Sequence, residues 1–570
     1  MSLSAEREMK MISMRKTLLI IMLAAAFALL AGAALADEPD VWISRDGTLT
    51  TDAITFNKNE GRGYTLFLPA SLKTEEMVFG MAEGVSFTYG SRSIKSGDSA
   101  AVIKPGKTQI KIGKQKSSLT VMRGSENLPA VFVTTESGSL KKIESNKENR
   151  EPGALVLLAG DGEIQYDGTL EHIKCRGNST MVFKKKNYQI KLSKSTDLLG
   201  MGKAKRWILT ANYRDKSHLR NQMTLDLAAA AGLSYTPEHC PADLYINHEY
   251  RGLYLFSEKV EIDKDRVAIT NLETLTEKLN TEKPLSEYKL KGKRKATDGA
   301  FKGYEIPVNP EDITGGYLME YESYPARYKS EPSAYTTKRG NVLVMKSPEY
   351  ASVEQMQYIS ALVQSFENAI AAEDGKDPDS GKHYTEIADA ESLALKYMIE
   401  EISENYDGNS SSQYFYKPAD SVSEKLFAGP AWDYDSAYGS YAAAHNAKYV
   451  LNPERLWISA GEWTAWYPML NRHADFRNLV AELWEERVAP LIRILLGEDE
   501  GGAEGLQSIA QMQKNIQASA DMDRQRWPRP KTSDAIAWTG SSFDDNVKFL
   551  QDYLQQRRDF LDTEWRNDSE

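Results

Sequence analysis

Cysteine is nearly absent from this chain: Cys175 and Cys240 are the only two in 570 residues, and no C-x-x-C pair occurs. The seven histidines form neither H-x-H nor H-E-x-x-H, so a dedicated zinc site has no ligand pattern to rest on. Phosphate- and acyl-transfer signatures are missing as well. Gly106-Lys107-Thr108 ends like a P-loop, but the glycine required five positions earlier is Ala101. There is no G-x-S-x-G elbow and no G-x-G-x-x-G fingerprint. An excess of basic residues is also absent: the net charge is −11, which argues against a dedicated nucleic-acid binder.

Charged residues make up 26% and apolar types 41%, a balance that excludes a disordered chain and a multi-span membrane protein. Residues 1–36 have the pattern of a secretory signal peptide. Arg15 and Lys16 precede an apolar run over 18–35, and Ala34-Leu35-Ala36 is a small-x-small cleavage site. The run is also long enough for an uncleaved anchor. Cleavage predicts a secreted or envelope protein with no stable membrane insertion. In an oxidising compartment Cys175 and Cys240 allow one intramolecular bridge; two buried free thiols are the other reading.

The length predicts more than one domain. Over residues 37–125, runs such as Tyr64–Leu68 and Gln109–Ile112 alternate in polarity between Gly and Pro turns, which predicts a small all-β accessory domain. Residues 126–570 read as a second, mixed domain, so the fold class is α+β with a mainly helical C-terminal part. Ala130–Val133 and Ala154–Leu158 read as buried strands. Leu219, Met223, Leu227 and Ala230 recur at helical spacing, with Asp215 or Ser217 as the cap and Gly232 as the stop. A hairpin is expected over 242–256, turning at Asn247–Tyr250. The basic run Lys289–Lys295 suits an anionic partner or a solvated loop. Phe543, Val547, Leu550, Leu554, Leu561 and Trp565 form the apolar stripe of a last helix.

Three segments carry chemistry. In the first, the turn Arg176-Gly177-Asn178-Ser179-Thr180 feeds a strand carrying Lys191. Backbone N–H groups and a lysine in that order suit a polyphosphate, and a solvent-facing lysine gives the same pattern. Tyr188, Ile190 and Leu192 share one face of that strand and Lys191 points to the other. In the second, Asp407 follows a helix over 391–403 and precedes Tyr414-Phe415-Tyr416, the place of a loop base or of a turn residue. In the third, Trp432-Asp433-Tyr434-Asp435 sets two carboxylates on one side of an extended segment. Without a cation that arrangement is costly, and oxygen ligands beside phosphates suggest Mg²⁺ or Mn²⁺; an acidic turn is the plain alternative.

Taken in order, these segments resemble the CotH family of spore-coat-type atypical kinases. The likeness runs through Ile173–Thr180, Lys186–Leu192, Trp207–Asp215 with Leu219-Arg220-Asn221, and Tyr245–Asn247 to Glu258. It continues at Gly315–Leu318, at Asp407 and at Trp432–Asp435, and it covers about residues 128–566. The resemblance implies a reduced, two-lobed protein-kinase-like fold that uses ATP with a divalent metal. It implies Asp407 as the catalytic aspartate, Asp433 with Asp435 at the metal, and residues 173–191 on the nucleotide side. Arg176, Asn178, Ser179 and Lys191 would then hold the nucleotide, with Phe427, six residues before Asp433, against the adenine. One departure stands out: Ser412 occupies the position, five after the catalytic aspartate, where kinases carry a metal-binding Asn.

The expected activity is transfer of the ATP γ-phosphoryl to a hydroxyl, of Ser or Thr on a protein substrate. A catalytically inactive pseudokinase, or an adhesin binding a cell-envelope component, is the second reading, favoured by the scarcity of ATP outside cells. A carbohydrate-active enzyme is a third. The kinase needs Asp407 and Asp433; the adhesin needs neither.

Overall fold

A computed structural model describes residues 39–59, 63–292, 298–322, 325–440, 452–460, 466–500, 505–528 and 542–566. The predicted signal segment 1–36 and the end of the basic run from Lys293 lie outside the described residues. The chain is mixed α+β. Among the described residues no helix is long and apolar enough to cross a membrane.

From Val41 to Arg123 the described residues form strands and two short 3-10 helices, arranged as a three-stranded and a six-stranded sheet. The runs Tyr64–Leu68 and Gly106–Ile112 are both strands here. The apolar core of this part does not close on itself. Leu66, Phe67, Phe79 and Leu119 pack in one cluster with Phe132, Val156, Tyr245 and Tyr250 from the following sheet.

That following sheet is a closed barrel of seven strands. Its order is Ala130–Thr135, Glu151–Leu158, Ile164–Arg176, Asn187–Asp197, Lys203–Thr210, Glu249–Glu258 and His239–Ile246. All neighbours are antiparallel except the closing pair, where His239–Ile246 runs parallel to Ala130–Thr135. The continuous apolar run at Ala130–Val133 now has a cause. Val131 and Val133 fill the barrel, while Ala130 and Phe132 face the β-rich part outside it. Tyr188, Ile190, Leu192, Trp207 and Phe256 complete the barrel interior, where Trp207 stacks on Phe256 with centroids 5.2 Å apart. The expected hairpin forms with a shorter turn: only Asn247 and His248 link the strands, both with positive φ, as a two-residue primed turn requires. Cys175 lies inside the barrel and Cys240 on a non-adjacent strand. They are unbridged, and burial pushes both thiols up to about 12.

The helix Arg220–Ala230 follows the barrel strand Lys203–Thr210. Leu219 holds its cap position, and the expected polar groups act from upstream. Asp215 Oδ2 accepts from Arg220 N–H at 2.9 Å and Ser217 Oγ from Leu219 N–H at 3.3 Å. Gly232, at φ +91°, ends the helix.

A second, seven-stranded sheet carries Val342–Ser347, Tyr317–Glu322, Gln413–Lys417 and Phe427–Ala428 side by side in that order. The long helices Val353–Ala371 and Ala390–Ser403 share one large core with Arg220–Ala230 and with the C-terminal helices. Phe543, Val547, Leu550, Leu554, Leu561 and Trp565 are all buried in that core, as their spacing predicts.

Candidate functional site

Two loops flank the short hairpin made by Gln413–Lys417 and Phe427–Ala428. The first carries Asp407 after the helix Ala390–Ser403, and the second carries Asp433 and Asp435. Because the loops leave the same end of the hairpin, residues far apart in sequence meet. Asn405 joins them: its Nδ2 donates to the Asp433 carbonyl at 3.2 Å, and its Oδ1 accepts from the Asp407 N–H at 3.2 Å. Asp433 sits at φ +69° and Ser412 at φ +61°, a left-handed backbone uncommon for either residue. The Ser412 hydroxyl lies 3.4 Å from Asp433 Oδ2. The residue in the place of the kinase Asn therefore stands against the Asp433 carboxylate.

Neighbouring elements bond to the second loop from two sides. Asn221 Oδ1, from the helix after the barrel, accepts from Tyr434 N–H at 2.7 Å. Arg220, paired with Asp215 at 2.5 Å, donates through Nε to the Ala437 carbonyl at 2.9 Å. From the other side Tyr434 Oη donates to Glu400 Oε1 at 2.8 Å, and Glu400 is also paired with Lys396.

The three carboxylates share one field. Burial, then Asp435, pushes Asp407 up to about 6. Burial, then Asp435 and Asp407, pushes Asp433 up to about 8, and burial raises Asp435. Two guanidinium groups oppose this. Arg214 Nη1 donates to Ser436 Oγ at 3.4 Å, Ser436 donates to Asp435 Oδ1 at 2.9 Å, and Arg214 lowers all three acids. Arg176, at the end of a barrel strand, lies 5.0 Å over the Trp432 ring and lowers Asp433. Asp435 is buried and Asp407 and Asp433 are half-buried, so three acids face two guanidinium groups in one partly enclosed site.

The remaining expected residues are distributed more widely. Phe427 stacks parallel to Tyr416 at 5.1 Å, in an aromatic cluster that includes Tyr235, Val260, Tyr414 and Trp432. Asn178 is exposed and accepts from Lys147 Nζ at 2.7 Å; the Ser179 side chain lies outside the described residues. Lys191 points out of the barrel, opposite to Tyr188, Ile190 and Leu192, with its ammonium 2.6 Å from Glu171. The fold thus brings Asp407, Asp433, Asp435 and Arg176 together, sets Phe427 in the adjoining aromatic cluster, and gives Lys191 and Asn178 other partners. Arg214, Asn221, Asn405 and Ser436 take part without having been assigned roles. Arg214 and Asn221 do stand inside segments that carry the family resemblance, which is the one signal the sequence held for them.

With this geometry in hand, the family comparison is decisive. The family model described as CotH kinase protein matches residues 173–561. The chain belongs to the CotH kinase protein family. No match was found among curated proteins. The matched CotH region begins inside the barrel strand that ends at Arg176 and closes inside the last helix, so it spans both walls around the carboxylates. Among the described residues of this CotH chain, no three His, Cys, Asp or Glu side chains form a ready-made metal cage. Oxygen donors are nevertheless present in Asp433, Asp407 and Asp435. Those oxygens are the donors a hard cation would use here, with the rest of its shell supplied from outside the chain.

Proposed function

We propose that this CotH-family chain is an exported atypical kinase that moves the γ-phosphoryl of ATP to a hydroxyl, of Ser or Thr on a protein or envelope component. The barrel and the helix-backed sheet serve as its two lobes, and residues 37–125 as a β-rich accessory domain. The observation that carries the reading is the meeting of Asp407 and Asp433 across a hairpin, half-buried, within one another's field and short of positive charge. Asp407 accepts the proton of the acceptor hydroxyl or orients it. Asp433, with Asp435 behind it, holds Mg²⁺ or Mn²⁺, which when bound neutralises phosphate charge. Arg176 supplies a fixed guanidinium beside Asp433, and Phe427 lies in the aromatic cluster suited to the base. Neither nucleic acid nor a membrane anchor enters this reading.

A thermal-shift titration tests the binding half. ATP with Mg²⁺ or Mn²⁺ should raise the melting temperature, because a ligand of the folded state alone stabilises by mass action. Asp433→Asn should remove the metal-dependent part of the shift. Binding that survives unchanged in Asp433→Asn would move the metal elsewhere. Binding with no transfer to any acceptor would favour the pseudokinase.

A further inference from the structure

On the outer face of the barrel, strand register sets cations in rows. Arg176 opposes Asn187. Two residues back, Lys174 opposes Gln189, which in turn opposes Ile208. Two further back, His172 opposes Lys191, which opposes Arg206. Ile208 pairs with Ser257, and Lys259 lies two residues after Ser257, one past the end of that strand at Glu258. Ile173, Cys175, Ile190 and Trp207 fill the barrel, so the alternating positions Lys174, Arg176 and Arg206 stand outside it. This face looks toward the metal loop: Thr210, Leu255 and Ser257 enclose a small space with Trp432 and Asp433.

Lys346 approaches from the opposite wall, on the strand Val342–Ser347, where it pairs with Glu320 at 3.3 Å. Lys259 and Arg206 share Glu261, each at 2.9 Å. Lys259 is held below the usual lysine range by burial, then by Arg206 and Lys346; Lys174 by burial, then by Arg150, Lys259 and Arg176. These cations therefore lie within one another's field. Glu261 pairs with Arg206 and Lys259 and Glu320 with Lys346, while Glu148 acts on Lys174 and Asp433 on Arg176 from farther off. Val260, next to Lys259, packs in the cluster that holds Phe427 and Trp432. The cationic strip thus joins the aromatic cluster at one side and the carboxylates at the other.

We propose that Lys174, Lys259 and Lys346 bind the polyphosphate of the nucleotide, which extends the charge of Arg176 away from Asp433. The proposal rests on the nucleotide reading above and adds the residues that carry it. Ammonium groups from both walls on one polyanion also give the ligand a way to draw the walls together. The three rows span about 13 Å at 3.3 Å per residue, long enough for a triphosphate.

Calorimetric titration of the full chain with Mg²⁺ and, separately, ATP, ADP, AMP and inorganic tripolyphosphate tests this. Lys259→Gln/Lys346→Gln should weaken ATP, ADP and tripolyphosphate by about ten-fold or more, the usual loss of a charge-assisted bond. AMP should change less than about two-fold on the same scale. Lys107→Gln, an exposed lysine on a distant strand, controls for net charge, and melting curves control for folding. A folded double variant with wild-type ATP and tripolyphosphate affinity would overturn the assignment. Tripolyphosphate binding that is lost in the double variant, with no preference for ATP in the wild type, would keep the strip and sink the nucleotide reading. A wild type that binds neither overturns both.

Discussion

Ser412 is the residue at which this chain departs most clearly from the kinase pattern, and its position makes a direct experiment. Its hydroxyl faces Asp433 at 3.4 Å from a backbone at φ +61°, a conformation that Asn adopts more readily than Ser. Ser412→Asn should therefore fold normally and lower the Mn²⁺ or Mg²⁺ concentration needed for half-maximal transfer, by several-fold; an unchanged metal requirement would mean that Ser412 does not face the ion. Arg214 gives a second residue-scale prediction, through pH. Asp407 must be ionised to accept a proton, and burial with Asp435 pushes it up to about 6, so with saturating metal, which holds Asp433 ionised, transfer should rise as pH increases through about 6 and level off above. Arg214 opposes that upward push. Arg214→Gln should shift the rising limb to higher pH, measured as kcat/KM across pH 5 to about 8.5.

At the scale of elements, the last helix anchors the helix that presents Asp407. Arg557 and Glu401 are both fully buried and paired at 2.6 Å, and Glu401 also accepts from the Ile458 and Ser459 N–H groups at 3.0 and 3.1 Å. Arg557→Ala leaves that carboxylate buried without its cation and should cost about 3–5 kcal/mol in denaturant unfolding. The exposed Lys548–Asp552 pair on the same helix should cost under about 1 kcal/mol when Lys548→Ala breaks it. Elements whose cause is local were legible in the sequence: the apolar stripe of the last helix, Gly232 as a helix stop, and the alternation that turns Lys191 outward. Elements fixed by distant pairing were not. Barrel closure depends on Ala130–Thr135 lying parallel to His239–Ile246, more than a hundred residues later, and no local pattern encodes that pairing. Even the Asn247–His248 turn was placed correctly and given too many residues, because two positive φ angles without glycine leave little trace in composition.

At the scale of the whole molecule, the site is a product of assembly. Arg176 comes from the barrel, Arg214 and Asn221 from the segment after it, Asp407 from the end of a core helix, and Asp433 from beyond a hairpin of the second sheet. Asp407 and Asp433 could be singled out in the sequence because each lies in a segment with its own family likeness, and the fold sets them in one field. Arg214 and the lysines Lys259 and Lys346 acquire meaning only when both walls are in place. The β-rich part shares its core with the barrel through Phe132 and Tyr245, so it packs against the barrel rather than hanging from it. The central claim is that this assembly transfers phosphate, and labelled ATP tests it most directly. Purified wild-type chain with Mn²⁺ or Mg²⁺ should label itself or an added protein acceptor. Asp407→Asn should still show the ATP-and-metal thermal shift yet lose at least about 10²-fold in labelling rate. Equal labelling by wild type and Asp407→Asn, or no labelling by a wild type that binds ATP and metal, would contradict the account.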